Sequence, residues 1–450
     1  MSSPERPPPR DYGLKSGTLS PAETLAQSIA VIAPICTPVM TIPLVFGIAG
    51  EGCAIAYLIS TITILLVGLN INQFARTSAS PGSLYTYIAE NMHSRFGMLA
   101  GWALLIAYLG TGASVSAGVT NYADVILRDW FGLHASPLLV TIVAGLGACW
   151  LAYRDVQISA RLMLWLQVGA VALISFVALS IVAQQGWQPD LGQLTLRDVS
   201  LEKLRMGLVL AIFSSVGFES ATSLGSEARD PLRSIPRAVK WSAILAGLFF
   251  FLCAYAEVLG FRGEPQTLDK SIAPLHVLVH KAGLPPIVGT LTDLGAVASF
   301  FTCVLACITA AARLFFLMGR NGALHALLGE VHESNQTPHR AVVLSAVATL
   351  LPATIMTIRH MDSFEIYGLL GAIATFGFLT AYILVSAAAP IYLRSRGLLN
   401  GRAIAVSVLA VLAMSVALFG SLYPVPPAPY SLLPYLYTGL LLAGFAYSAV

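Results

Sequence analysis

Ala33-Pro34-Ile35-Cys36-Thr37-Pro38 interrupts the first long apolar stretch of the chain, and Ser214-Ser215-Val216-Gly217-Phe218-Glu219 interrupts the sixth. Each proline in the first segment removes a backbone donor and clashes with the preceding turn, so a continuous helix is not expected there. The second segment puts small residues, a flexible glycine and a carboxylate at membrane depth. Prolines and glycines kink many transmembrane helices without further meaning. Here the two interruptions lie five apolar stretches apart, at matching places in two halves of the chain. That pairing is the sequence mark of a secondary transporter built from inverted repeats, in which solute is held where the helices unwind.

Outward from these two segments, apolar stretches long enough to cross roughly 30 Å of hydrocarbon as helices continue to the C-terminus. About twelve are expected, over residues 25–48, 53–73, 97–127, 137–152, 162–183, 206–224, 239–261, 285–318, 341–358, 364–393, 403–422 and 432–449. The expected fold class is an all-α membrane protein. Residues 1–20 read as a disordered cytoplasmic tail, with Pro7, Pro8 and Pro9 beside Arg6 and Arg10 and no apolar core of a signal peptide. Residues 21–395 would hold helices one to ten, the transport core, and residues 396–450 helices eleven and twelve.

Composition agrees with a lipid environment. With 56% hydrophobic and 10% charged residues in 450, there are too few charges to cover a soluble globule. The net charge of +3 is spread over short connections, which excludes the basic stripe that nucleic-acid binding needs. Cys36, Cys53, Cys149, Cys253, Cys303 and Cys307 all fall in apolar runs without a Cys-x-x-Cys pair, so neither a disulfide framework nor a metal site is expected. Lysine and arginine favour one set of loops by about two to one, the segment with Arg229, Arg233, Arg237 and Lys240 above all. An even helix count then puts both termini in the cytoplasm of a multi-pass cell-membrane protein.

Three further segments carry a resemblance. They are Ser80-Pro81-Gly82-Ser83-Leu84-Tyr85-Thr86-Tyr87 with Phe96-Gly97 and Gly101-Trp102; Gly217-Phe218-Glu219-Ser220 running through Glu227-Ala228-Arg229-Asp230-Pro231 to Ile235-Pro236-Arg237-Ala238; and Arg313-Leu314-Phe315 followed by Gly319-Arg320-Asn321-Gly322. In this order, each at a helix end, they resemble the amino acid-polyamine-organocation (APC) permeases of bacterial amino acid permease type. The resemblance implies the five-plus-five inverted-repeat, leucine-transporter-like fold with two helices appended. It also implies a gating aromatic at Phe213 and a site-facing Tyr108. The chain departs from many such permeases in helix one, where Cys36-Thr37-Pro38 stands in place of a glycine-rich turn. Pro38 has no amide hydrogen, so one donor for a substrate carboxylate is missing and the Thr37 hydroxyl is left to replace it.

The expected substrate site therefore sets Ile35, Cys36 and Thr37 against Ser214, Ser215, Val216 and Gly217, with backbone donors on one side and carbonyls on the other. Glu219 should point into the bundle, to bind a cationic group, carry a proton or tie helix six to helix one. Asp293 reads as either interfacial or part of the site. Coupling to protons or sodium stays open. Some proton-coupled relatives carry a lysine in helix five, but no lysine or arginine occurs between residues 162 and 183; Ser299 and Thr302 on helix eight offer oxygens that suit sodium. No metal-hydrolase, nucleotide-binding or Gly-x-Ser-x-Gly motif is present, and no cofactor is expected. The expected function is secondary active transport of a small solute, a neutral amino acid first, with membrane lipid as the surroundings. An amine or polyamine permease or an exchanger is the alternative, and a solute-sensing transceptor or an intramembrane enzyme the reading from another class.

Overall fold

Ser20 starts the first helix of the computed structural model, which describes residues 12–195, 199–271 and 273–448. Its side chain accepts from the Glu23 amide while the Glu23 carboxylate accepts from the Ser20 amide, a reciprocal cap that satisfies two otherwise orphaned donors. The helices are α1 (Pro21–Ile32), α2 (Ile42–Ala49), α3 (Cys53–Ala75), α4 (Ser83–Asn91), α5 (Ser94–Phe131), α6 (Pro137–Arg154), α7 (Val156–Gln184) and α8 (Leu191–Thr195). They continue as α9 (Leu201–Phe213), α10 (Pro231–Gly260), α11 (Pro274–Lys281), α12 (Pro286–Arg320), α13 (His339–Ile358), α14 (Ser363–Ser395), α15 (Gly401–Gly420) and α16 (Leu433–Tyr447). A π-helical turn, Thr37–Thr41, separates α1 from α2, and a 3-10 turn, Ser220–Leu224, follows α9. Among the described residues there is no β-strand, only the isolated bridge between Leu19 and Ala228.

Nine helical stretches among the described residues are long and apolar enough to cross a membrane, fewer than the twelve expected. The difference has three causes. Pro21–Ala75, in which α1, the π-turn, α2 and α3 follow one another, counts as one apolar stretch of 55 residues. At 1.5 Å per residue it would reach about 80 Å, far beyond a bilayer, so it has to reverse. The reversal falls at the 3-10 turn Gly50–Gly52, where Gly50 takes a φ of 55° that other residues rarely adopt. The sixth stretch is cut short because α9 stops at Phe213, and α16 has only 15 residues.

Burial sorts the helices. The most apolar window of α12 is 94% buried, whereas those of α6 and α15 are 22% buried. α12 is therefore the centre, packed on α5 and α7, while α6 and α15 lie at the rim. Rim side chains such as Leu146, Trp150, Leu409 and Leu412 point outward, an apolar belt that lipid would cover.

Two expectations need correction here. Residues 1–11 of the expected tail lie outside the described residues, but from Tyr12 onward the segment is packed. Leu14 and Leu19 are buried, and the Thr18 and Leu19 amides donate to the Glu227 carbonyl at 2.9 and 3.0 Å. The expected loop after α3 contains the helix α4, where Leu84, Tyr87 and Ile88 are buried.

Candidate functional site

The first helix breaks where its prolines require it. Pro34 disfavours a helical residue before it, and Ala33 takes a left-handed conformation at φ 49°, ψ 65°. The Cys36 amide then donates to the Ala33 carbonyl at 2.9 Å. The π-turn follows, closed by the Ile42 amide on the Thr37 carbonyl. Ile35, Cys36 and Thr37 are all buried at the break, and the Cys36 amide is already taken.

The sixth stretch breaks after Phe213, and Gly217 shows why. Its φ is 85°, and a Cβ there would lie 2.3 Å from Cγ1 of Val31 in the last turn of α1. Glycine is needed both for the backbone angle and for the close approach of the two interrupted segments. Further bonds join them: the Ala221 amide donates to Ser28 Oγ at 3.0 Å, and Ser220 Oγ donates to the Gln27 carbonyl at 3.2 Å. Ser214 and Ser215 face α3, with Tyr57 Oη 3.2 Å from Ser214 Oγ and Ser60 Oγ 3.4 Å from Ser215 Oγ. Val216 is buried beside them.

Glu219 is fully buried, and each of its oxygens has a donor. Tyr108 on α5 donates to one at 2.7 Å, Tyr382 on α14 donates to the other, and the Gly217 amide donates to Tyr382 Oη at 2.9 Å. This is the satisfaction a buried carboxylate requires. It ties the break to α5 and α14, not to helix one as one of the expectations had it.

A cavity of about 690 Å³ opens at the far end of the bundle from the N-terminus. Its walls include Leu44, Val209 and Phe376, and Asp269 is the one charged residue among the described residues that line it. Phe213 is the only residue of the expected substrate site in this lining. Its ring meets Tyr367 edge-on with centroids 6.3 Å apart, and Tyr367 Oη lies 3.2 Å from Thr41 Oγ1 of the π-turn. These three residues form a layer across both broken helices, and the remaining expected site residues lie buried behind it.

The N-terminal end is closed by ion pairs. Arg313 places Nη2 2.6 Å and Nε 2.7 Å from Glu227 Oε1, with both side chains buried. Arg161 lies 2.8 Å from Glu23, and Lys15 lies 2.5 Å from Asp155. Burial pushes the Asp155 carboxyl up, but the Lys15 ammonium and the amide of Gln157 outweigh it and hold the group below the usual carboxylate range.

Ser299 and Thr302, the expected sodium ligands, are brought together by a residue the sequence reading passed over. Ser299 Oγ donates to Gln167 Oε1 at 3.1 Å, and Gln167 Nε2 donates to Thr302 Oγ1 at 2.8 Å. A glutamine in an apolar helix has to find partners, which was the available signal. The same holds for Tyr382, a hydroxyl within the apolar α14. Asp293 is buried in the protein, with His276 Nε2 at 2.8 Å from its Oδ2. The neighbouring Asp293 carboxylate raises His276 above the ordinary histidine range against the opposing effect of burial.

Comparison with known proteins adds to this geometry. Residues 24–425 match the family model described as amino acid permease. The chain is similar to a branched-chain amino acid permease of Bacillus subtilis, 23% identical over 76% of this chain and 73% of that protein. It is similar to a low-affinity putrescine importer of Escherichia coli, 24% identical over 74% of each. A third relative is cationic amino acid transporter 4 of Homo sapiens, 23% identical over 75% of this chain and 54% of the human protein.

Proposed function

Because the chain belongs to the amino acid permease family, and is therefore a membrane permease and not an enzyme, we propose that it carries a neutral, apolar amino acid by alternating access. The observation that carries this reading is the cavity that ends on Phe213, Tyr367 and Thr41, where both interrupted helices meet one apolar space. An aliphatic side chain suits its walls, and the amides and carbonyls freed near the two breaks suit the ends of an amino acid. The helices cross the bilayer twelve times as two inverted five-helix repeats plus α15 and α16. Both termini are cytoplasmic, since the positive loops share the end sealed by Lys15, Arg161 and Arg313. The cavity then faces outside. The hydrogen bonds of Gln167 to Ser299 and Thr302 speak against those two hydroxyls as a sodium site and favour a proton as the coupling ion.

A diamine substrate is the second reading, favoured by Asp269, the carboxylate in the cavity wall. Uptake of labelled leucine and of labelled putrescine into liposomes containing the purified protein separates the two. Leucine uptake that is not inhibited by leucine's decarboxylated analogue is the expected result, because a site built for a carboxylate rejects a ligand that leaves its donors unpaired. Putrescine uptake without leucine uptake would replace the first reading with the second, and uptake of neither would remove both.

A further inference from the structure

One buried carboxylate takes no part in the contacts described above. Glu257, near the far end of α10, is fully buried, and neither of its oxygens has a hydrogen-bond partner among the described residues. Glu219 has two tyrosine donors and Glu227 has Arg313; Glu257 has neither donor nor counter-charge. The titratable groups within electrostatic range are Cys53 and Tyr57 on α3, Tyr122 on α5 and Cys253 on its own helix. The other titratable groups on helices packed against α10 lie elsewhere: Glu23 pairs with Arg161, His276 with Asp293 and Lys281 with Glu264, and His280 is exposed at the surface. An ionised carboxylate in such a place would be desolvated with nothing to offset the loss, so the group holds a proton.

Its neighbours connect it to the broken first helix. α10 packs on the π-turn Thr37–Thr41. Tyr122 Oη reaches the Val39 carbonyl at 3.5 Å, and Cys53 Sγ reaches the Ile42 carbonyl at 3.9 Å. Beyond that turn, α2 supplies Pro43, Leu44, Gly47 and Ile48 to the cavity wall. The π-turn packs on α10 and leads directly into α2, so a movement of that turn away from α10 would loosen the surroundings of Glu257 and also reshape the cavity wall along the path that solute would take.

We propose that Glu257 is a proton-binding site whose loading lets the far half of the first helix close, so that solute movement is coupled to a proton gradient. The inference rests on the permease reading. With the proton bound, the neutral acid fits its apolar surroundings and α2 packs down. With the proton lost, the carboxylate needs water, and the closed position of α2 is disfavoured.

Two measurements test this, and the first does not depend on the substrate. Infrared difference spectra of wild type against Glu257→Gln at neutral pH should show a protonated carboxylic acid carbonyl band that is present only in wild type. If that variant does not fold, Glu257→Asp serves, because the band must shift with the altered side chain. No band assignable to residue 257 would overturn the proposal even if the protein transports amino acids normally. In liposomes, leucine uptake by wild type should rise several-fold when the outside is made acidic, and Glu257→Gln should show no such rise. A rise that survives in the variant, or a drive by sodium in place of the pH gradient, would overturn it.

Discussion

The two ends of the bundle are closed by different chemistry, although the same broken helices run through both. At the N-terminal end, Arg313 with Glu227, Arg161 with Glu23 and Lys15 with Asp155 form a ladder of ion pairs from the buried interior to the surface. At the far end, the Phe213, Tyr367 and Thr41 layer closes a wide apolar cavity by ring contact and one hydroxyl pair. The difference teaches which closure holds more tightly. Buried ion pairs add little net stability over apolar packing, yet breaking one by removing a partner is severe, because the remaining charge stays buried. Hydrating both partners together costs far less. An ionic ladder is thus firm when dry and releases as a unit, whereas rings can rotate apart one at a time.

The largest expected effect is at the deepest rung. Arg313→Ala leaves Glu227 buried without its cation and should cost about 3–5 kcal/mol. It is expected as a marked fall in the thermal unfolding temperature in detergent, which Glu227→Gln in the same chain should partly restore. A variant as stable as wild type would mean that the N-terminal end is not held by this pair. Next is the joint the two ends share. Glu219→Gln keeps the shape but changes what Tyr108 and Tyr382 can donate to. A loss of about 1–3 kcal/mol of organising energy corresponds to roughly five- to 150-fold slower uptake. The protein should remain folded by size exclusion; full uptake would make Glu219 a spectator, and loss of folded protein would make its role structural.

The smallest effect sharpens the comparison from the cavity side, where His276 with Asp293 is the buried-to-surface pair between α11 and α12. His276 is raised above its unfolded value by Asp293, so its contribution is complete below about pH 6.5 and is lost as pH rises through the higher folded value. Wild type should therefore lose a little stability on going from acid to mildly alkaline pH. His276→Gln should lack that component in melts across the range, and an unaltered pH profile would discount the pair.

How much of this was legible in the sequence follows from how far each cause reaches along the chain. Both breaks were readable because proline and glycine act on their own backbone, and the structure interrupts the helices at Ala33 and after Phe213. Tyr108 was legible only through the resemblance, and its companion Tyr382 was not, since it meets Glu219 across 163 positions. Gln167 was missed because the reading sought a charge in helix five, whereas the side chain there that bonds to Ser299 and Thr302 is a neutral amide. The packed stretch from Tyr12 to Leu19 carries no periodic pattern, and the docking of its Leu14 and Leu19 depends on groups such as the Glu227 carbonyl, contributed from the far side of the sequence. Apolar length alone did not show which expected stretches are continuous helices, because it does not register where a helix unwinds, as after Phe213.

The central claim is that the two closures alternate around one solute site, and a pair of single cysteines in a cysteine-free background tests it most directly. Ala372, on α14, lines the cavity, and Ser28, fully buried on α1, faces the 3-10 turn after the second break. With a soluble maleimide and purified protein, Ala372→Cys should react readily and Ser28→Cys hardly at all. Saturating leucine should slow the first and speed the second as the population shifts. Equal reactivity at the two positions without ligand, or rates that leucine leaves unchanged at both, would contradict the account.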